Sequence, residues 1–242
     1  MNMDVTSLRA SLLQRLISTV YPPRCVLCGC RGFGDMDICV DCYQDLPWIG
    51  SACVQCAIPL SQHSGDHLRC GLCLKETPLF DRSFSLFSYE KEAVTLIHQL
   101  KFNEKLANSR LLGNMLSDAI DKNVIELPDC ILPVPLYKKR LRQRGFNQSI
   151  ELARPVANTF GIPLDLRSVK RVRDTQSQTE LDKKQRRKNI RAAFEVIEPL
   201  SVQHVVVVDD VVTTTSTVNE IARILKRAGV RRVDVWSIAR AV

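Results

Sequence analysis

The chain has 242 residues, 45% of them hydrophobic and 25% charged, with a formal net charge of +8. That balance belongs to an ordinary soluble globular protein with room for one sizeable domain and a small one. No apolar run reaches the ~18–20 residues that a membrane span requires, so an integral membrane protein is excluded and a cytoplasmic one is expected.

Taken in chain order, residues 1–22 place Leu8, Leu12, Leu13, Leu16, Ile17 and Val20 on one helical stripe broken by Arg9, Gln14 and Arg15. This predicts an amphipathic helix rather than a signal core, stopped by Pro22 and Pro23. From 23 to 80 the cysteines set the organisation. Eight of the ten cysteines fall in four CxxC pairs: Cys25 and Cys28, Cys39 and Cys42, Cys53 and Cys56, Cys70 and Cys73. Two residues between thiols let both sulfurs face one ion, and two such knuckles make a tetrahedral thiolate cage, so two zinc ions are expected. Adjacent pairing gives two ribbons in series; an interleaved pairing satisfies the same spacing. His63 and His67, between the last two pairs, are alternative ligands; the plainer reading is loop histidines, since the thiols already complete both sites. A closed four-thiolate shell leaves no open position for catalysis, so the metal is structural. Cys30 and Cys130 are left over and read as buried small hydrophobes.

Beyond residue 81 the pattern changes to strands alternating with helices, which is an α/β domain built on a mainly parallel sheet and running to 242. SFSLFSY (83–89) reads as a strand, EKEAVTLIHQL as a helix, and 106–121 as a second helix. CILPVP (130–135) is a short strand, followed by the basic stretch LYKKRLRQRGFNQ and a helix over 148–160. DLRSV and AAFEVI are short strands on either side of a polar, charged segment. VVVVDD is the strongest strand, VNEIARILKRAG the clearest helix, and RRVDVWSIARA a closing strand. The positive charge is concentrated: residues 138–191 hold 16 basic and 5 acidic residues, so the rest of the chain is slightly negative. Such a field suits phosphates, although a charge run is also compatible with plain solvation.

The most informative stretch is VVVVDDVVTTTST, 205–217. A continuous valine run is what a strand buried on both faces looks like, which puts Asp209 and Asp210 at the carboxyl end of a central strand. Ligands bind at that edge in open α/β sheets, and a helix starting there presents free backbone donors. Thr213, Thr214, Thr215, Ser216 and Thr217 add hydroxyls to that nest. Carboxylates for a vicinal diol beside a cradle for a phosphate point to a ribose phosphate. A Walker B strand would need a GxxxxGK[ST] loop, which the chain lacks, and a receiver domain would carry its acids near the start of the fold. A plain helix cap explains one or two hydroxyls, not five with a carboxylate pair.

This stretch resembles the signature of type I phosphoribosyltransferases, and the chain as a whole resembles one branch of them, the ComF family (ComFC and GntX proteins), linked to natural competence and DNA utilisation. The resemblance is carried by the CxxC ribbons, LIHQLKF (96–102), LPVPLYKKRLRQRGFNQS (132–149), the series Arg173, Thr175, Gln178, Leu181, Arg186, Asn189 and Phe194, and the DD loop. It implies a type I phosphoribosyltransferase-like, mainly parallel sheet flanked by helices and preceded by a small double zinc ribbon. It further implies that Asp209 and Asp210 bind the ribose hydroxyls of phosphoribosyl pyrophosphate (PRPP) and that Thr213 to Thr217 bind its 5′-phosphate. Lys138, Lys139, Arg140 and Arg144 then stand where such enzymes hold pyrophosphate, and residues 173–191 correspond to the hood that closes over the site. Lys101 faces the same cleft in this reading, or serves as a helix-end lysine. Asn147 and Gln148 are candidates for loop bracing or for substrate contact.

The implied chemistry is displacement at the anomeric carbon with magnesium pyrophosphate leaving, a glycosyl transfer to a nitrogenous base. Thr215 departs from the family pattern, which has Gly there. A positive φ at that position would cost a β-branched residue ~1–2 kcal/mol and hinder the approach of a phosphate, whereas an ordinary backbone would make Thr215 one more hydroxyl, so both ligand affinity and turnover hang on it. Three readings follow: a transferase, a DNA-uptake factor that binds single-stranded DNA and works with DNA-import machinery, and a PRPP sensor without turnover.

Overall fold

The computed structural model describes residues 22–60, 68–102, 106–124, 126–174 and 190–242. The amphipathic segment 1–21, His63 and His67, and most of the hood segment lie outside them. Two compact units divide the chain between Leu46 and Pro47, within the stretch whose cysteine spacing reads as one double ribbon.

In the first unit, the Cys25 N–H donates to Cys30 O at 2.8 Å and Gly29 N–H returns to Cys25 O at 2.8 Å, with Gly29 at φ 78°. This is a tight knuckle whose turn needs the left-handed region. Helix α1 (Val40–Gln44) follows, with Cys39 as its N-cap accepting from Cys42 N through its sulfur. Ile38 and Leu46 are fully or almost fully buried.

The second unit begins with its own knuckle and the short helix α2 (Gly71–Lys75), then enters the sheet at β1 (Arg82–Ser88). Helices α3 (Lys91–Phe102) and α4 (Leu106–Asn123) lead to β2 (Cys130–Pro133). The basic stretch is helical: α5 spans Lys138–Arg144 and ends at Gly145 in the left-handed region, φ 75°. Helix α6 (Gln148–Phe160) is capped by Asn147 and ended by Gly161, φ 65°. Strands β3 (Val169–Arg171) and β4 (Phe194–Val196) form an antiparallel pair at the two ends of the hood segment. The chain closes with β5 (His204–Val212), α7 (Ser216–Arg227) and β6 (Arg232–Arg240).

The four main strands lie in the order β1-β6-β5-β2, and every neighbouring pair is parallel. The valine run is central, as its composition requires. Val205 to Val208 pair with Cys130 to Pro133 on one side and with Val233 to Trp236 on the other, and all four valines are fully buried. Helices flank the sheet, with α6 packed on β5, β2 and α4, and α7 against β4, β5 and β6. Helices α4 and α6 cross closely at Gly113, where an added Cβ would come within 2.6 Å of Pro155 Cγ. The start of α6 lies beside the end of β5, where Ser149 Oγ donates to Asp209 Oδ1.

Candidate functional site

The eight paired cysteines assemble as two sequential tetrads, Cys25–Cys28–Cys39–Cys42 and Cys53–Cys56–Cys70–Cys73, which settles the pairing against interleaving. Within each, the four sulfurs lie within 4.8 Å of one another. A tetrahedral zinc with Zn–S bonds of ~2.3 Å requires sulfurs about 3.8 Å apart. The Cys28–Cys39 pair is at 3.6 Å and the Cys56–Cys70 pair at 3.7 Å, so both cages fit the ion. Burial pushes the Cys25 thiol up, but backbone hydrogen bonds from Cys28, Cys39 and Leu27 bring it down to about 6. Cys53 behaves alike: burial opposes and the backbone of Cys70, Cys56 and Gln55 prevails, giving about 7. Burial and the neighbouring thiols push Cys42 and Cys73 upward. The first thiol of each cage is thus primed as a thiolate, and the cation supplies the charge that ionises the rest.

At the carboxyl end of β5, Asp209 is half-buried and Asp210 is 5% exposed. Successive strand residues face opposite ways, so the two carboxylates are not equivalent. Asp209 Oδ1 accepts from Ser149 Oγ at 3.2 Å and from Asp210 N at 2.9 Å, while Asp210 Oδ1 accepts from Val211 N at 2.8 Å. Asp209 lines a small cavity enclosed by residues 211–218. The loop that walls it carries the hydroxyls: Thr214 Oγ1 and Ser216 Oγ share a hydrogen bond at 2.9 Å, and Thr215 Oγ1 donates to Thr214 O at 2.6 Å. The first helical bond of α7 runs from Asn219 N to Thr215 O, so the N–H groups of Ser216 to Val218 are left unused by the helix itself. Thr215 is the N-cap and sits at φ 59°, ψ −1°, the left-handed region.

Basic groups surround the acids. Burial lowers the Arg144 pKa, with Asp210 pulling it up and Arg140 pushing it down. Burial likewise lowers Arg171, on β3, with Arg140 acting in the same direction against Asp209 and Asp174. Arg144 thus lies near Asp210 and Arg171 near Asp209, and Arg140, one turn before Arg144 on α5, lies near both guanidinium groups. Lys138 and Lys139 line a different space, an open cleft of about 580 Å³ with Tyr137, Arg142, Gln143 and Asp174.

The ambiguity at Asn147 and Gln148 resolves. Asn147 Oδ1 caps α6 by accepting from Ser149 N at 3.0 Å, and its Nδ2 donates to Val134 O at 3.0 Å. Both ends of the amide are used, so Asn147 braces the turn after β2. Gln148 Oε1 accepts from Arg144 Nη1 at 3.0 Å and aims that guanidinium.

A double zinc ribbon model matches residues 16–74 and a phosphoribosyl transferase domain model matches 147–241. The chain is 38% identical over 226 residues to the DNA utilization protein YhgH of Salmonella typhimurium, covering 91% of this chain and 98% of that one. It is 34% identical over 231 residues to competence protein F of Haemophilus influenzae, covering 90% and 97%. The chain belongs to the ComF family. A solved glutamine PRPP amidotransferase from B. subtilis, complexed with ADP and GMP, overlaps 53% of the ComF chain and 25% of its own at 23% identity and a TM-score of 0.36.

Of the residues singled out from the ComF sequence, the structure gathers Asp209, Asp210, Arg140, Arg144 and the loop Thr213–Thr217 around one strand end. Lys101 lies in the last turn of α3, with its side chain outside the described residues. Cys130 is buried as expected, and burial with the nearby Asp165 and Asp129 pushes its thiol up to about 12. Cys30 is exposed, contrary to the expectation of a buried hydrophobe; its backbone carbonyl closes the knuckle by accepting from Cys25 N, and its sulfur is not part of the tetrad. Ser149 and Arg171 were missed. Ser149 has a sequence signal, standing two residues after the cap Asn147 in the first turn of α6; Arg171 has none, since β3 is a three-residue strand.

Proposed function

We propose that this ComF protein binds PRPP, as its magnesium complex, at the carboxyl end of β5, and that the site serves DNA uptake or the reuse of nucleotides from DNA. One observation carries the reading: Asp209 lines the hydroxyl-walled cavity at the start of α7, Arg144 lies near Asp210 and Arg171 near Asp209, and Arg140 adds its charge beside both arginines. The carboxylates suit the ribose diol, the loop amides and hydroxyls suit the 5′-phosphate, and the arginines suit the pyrophosphate. Magnesium arrives with the substrate and neutralises pyrophosphate charge. Gln148 and Ser149 act on this arrangement by orienting Arg144 and Asp209. The names of the relatives, a DNA utilization protein and a competence protein, supply the biological context.

The test is calorimetric titration of the zinc-loaded full chain with PRPP and magnesium, beside the double variant Asp209→Asn, Asp210→Asn. Binding by the native chain and its loss in the variant, with an unchanged melting profile, is the expected result; equal affinity in both overturns the assignment.

A second reading has support from the outer face of α5. The cleft with Tyr137, Lys138, Lys139 and Arg142 lies beside the acids' site rather than in it, and joins a stacking ring to a basic wall. That combination suits single-stranded DNA. Oligonucleotide binding that weakens steeply with salt, and that K138A/K139A lowers while PRPP affinity stays constant, is the expected outcome; an oligonucleotide displaced by PRPP alone would argue for a single shared site.

A further inference from the structure

We infer that Arg240 is a positioning residue that locks the hydroxyl loop to the second cysteine tetrad, so that metal in the cage and an anion in the loop stabilise each other. The anion half rests on the reading above. Arg240 is the last residue of β6 and is 6% exposed. Its Nε donates to Cys56 O at 2.7 Å, and its Nη1 donates to Val212 O at 3.0 Å and to the carbonyls of Thr213 and Ala241. Every hydrogen-bond partner found for it among the described residues is a backbone carbonyl. One rigid, planar fork thus spans from the metal knuckle to the first residue of the loop.

The consequence for the loop follows from peptide planarity. In a trans peptide the C=O and the next N–H point in opposite directions. Holding the carbonyls of Val212 and Thr213 against the guanidinium turns the N–H groups of Thr213 and Thr214 away from it, presenting them as donors, while the cation adds favourable potential for an anion nearby. On the cage side, Cys56 supplies its sulfur to the tetrad and its carbonyl to Arg240, and the next residue, Ala57, is held at φ 55° with its N–H on Cys53 O at 2.8 Å. The strained knuckle is therefore fixed at both ends. A second link runs in parallel: Leu79 N donates to Asn219 Oδ1, in the first turn of α7, at 2.6 Å. Cys53, Cys56 and Cys73 also share one apolar cluster with Val212 and Val218. These contacts give the two sites a shared, rigid connection, and a coupling carried by it acts equally in both directions.

The experiment follows zinc leaving the full-length, zinc-loaded chain into a chromophoric chelator. The C28S variant removes the first cage from the signal. PRPP with magnesium should slow release from the second cage about 10-fold, and R240M should speed release about 10-fold in the absence of any ligand and weaken PRPP by at least 10-fold. R240K keeps the charge but not the fork and should fall between the two, which separates positioning from electrostatics should R240M fold poorly. A release rate that saturating PRPP leaves unchanged, in a chain shown by calorimetry to bind it, overturns the coupling. If the native chain does not bind PRPP, the functional reading and the anion half fail together. The tie to the cage is read without ligand, and native release rates in both Arg240 variants overturn it on their own.

Discussion

Thr215→Gly should make the protein both more stable and tighter for PRPP. Thr215 lies at φ 59°, where an L-residue's Cβ crowds the backbone at a cost of roughly 1–2 kcal/mol and a β-branched one is a marked outlier. Glycine relieves that strain, against roughly 0.5–1 kcal/mol for its freer unfolded chain. The lost Thr215 Oγ1 bond to Thr214 O is partly solvated and subtracts about 0.5 kcal/mol. The midpoints leave a gain of a few tenths of a kcal/mol, within a range from a loss of about 0.5 to a gain of about 1 kcal/mol, so the melting temperature should rise by at most about 4 °C for a chain of this size. Removing Cβ also clears the space in front of the first amides of α7, so PRPP affinity should rise several-fold. Thr215→Ala keeps the positive φ and loses the hydroxyl, so the melting order should be Gly, then native, then Ala. Scanning calorimetry and PRPP titration of the three proteins decide it. A glycine variant that melts below the native chain and binds more weakly would mean that the threonine side chain, not the backbone geometry, shapes the loop.

Elemental analysis should find two zinc ions per chain, and C56S, which opens a cage packed into the sheet's cluster, should lower the melting temperature of the large unit more than C28S does. Asn147→Ser keeps the cap of α6 and loses the Val134 tie, for about 1 kcal/mol; Asn147→Ala loses both, for about 2 kcal/mol by chemical denaturation; native stability in Asn147→Ser would show the tie to be idle, and equal losses in the two variants would show the cap to be. Asp234 makes the acid-limb case. Burial raises its carboxyl, but hydrogen bonds from His204 and Arg232 hold it below the usual carboxylate range. A depressed folded value stabilises above the unfolded pKa of ~3.9 and is lost as pH falls through the folded one. Asp234→Asn should therefore cost about 1–3 kcal/mol at pH 7, and denaturation curves should show the deficit shrinking below about pH 4; a deficit constant with pH would refute the assignment.

What was legible in the sequence had a local cause. Helix α6 has a capping Asn147 and a Gly161 stop, α7 has Gly229 beyond its end, and the valine run can only be a doubly buried strand. The residues that escaped had no such signature. Helix α5 holds one apolar residue, Leu141, among six polar or basic ones, so it carries no periodicity. The strand expected over DLRSV starts later, at Val169, because Asp165 Oδ1 accepts from Arg167 N and Ser168 N and folds that segment into a turn. Arg240 stands in the closing strand with nothing local to mark it, and its partner Cys56 is 184 residues away.

That separation bears on why the second ribbon belongs with the sheet. A four-cysteine knuckle has little apolar surface to bury, and no cysteine of the first one belongs to the apolar cluster behind the sheet. The second instead sets Cys53, Cys56 and Cys73 among Phe80, Val212, Val218, Ile221 and Ala222, the residues that enclose the strand end and the first turns of α7. Gln55, 2% exposed, donates to Phe80 O and closes the same layer. The metal there completes the core behind the loop. Between two cages of the same donor set, it is this surrounding core, and not the chemistry of the sulfurs, that ties one of them to the end of β5.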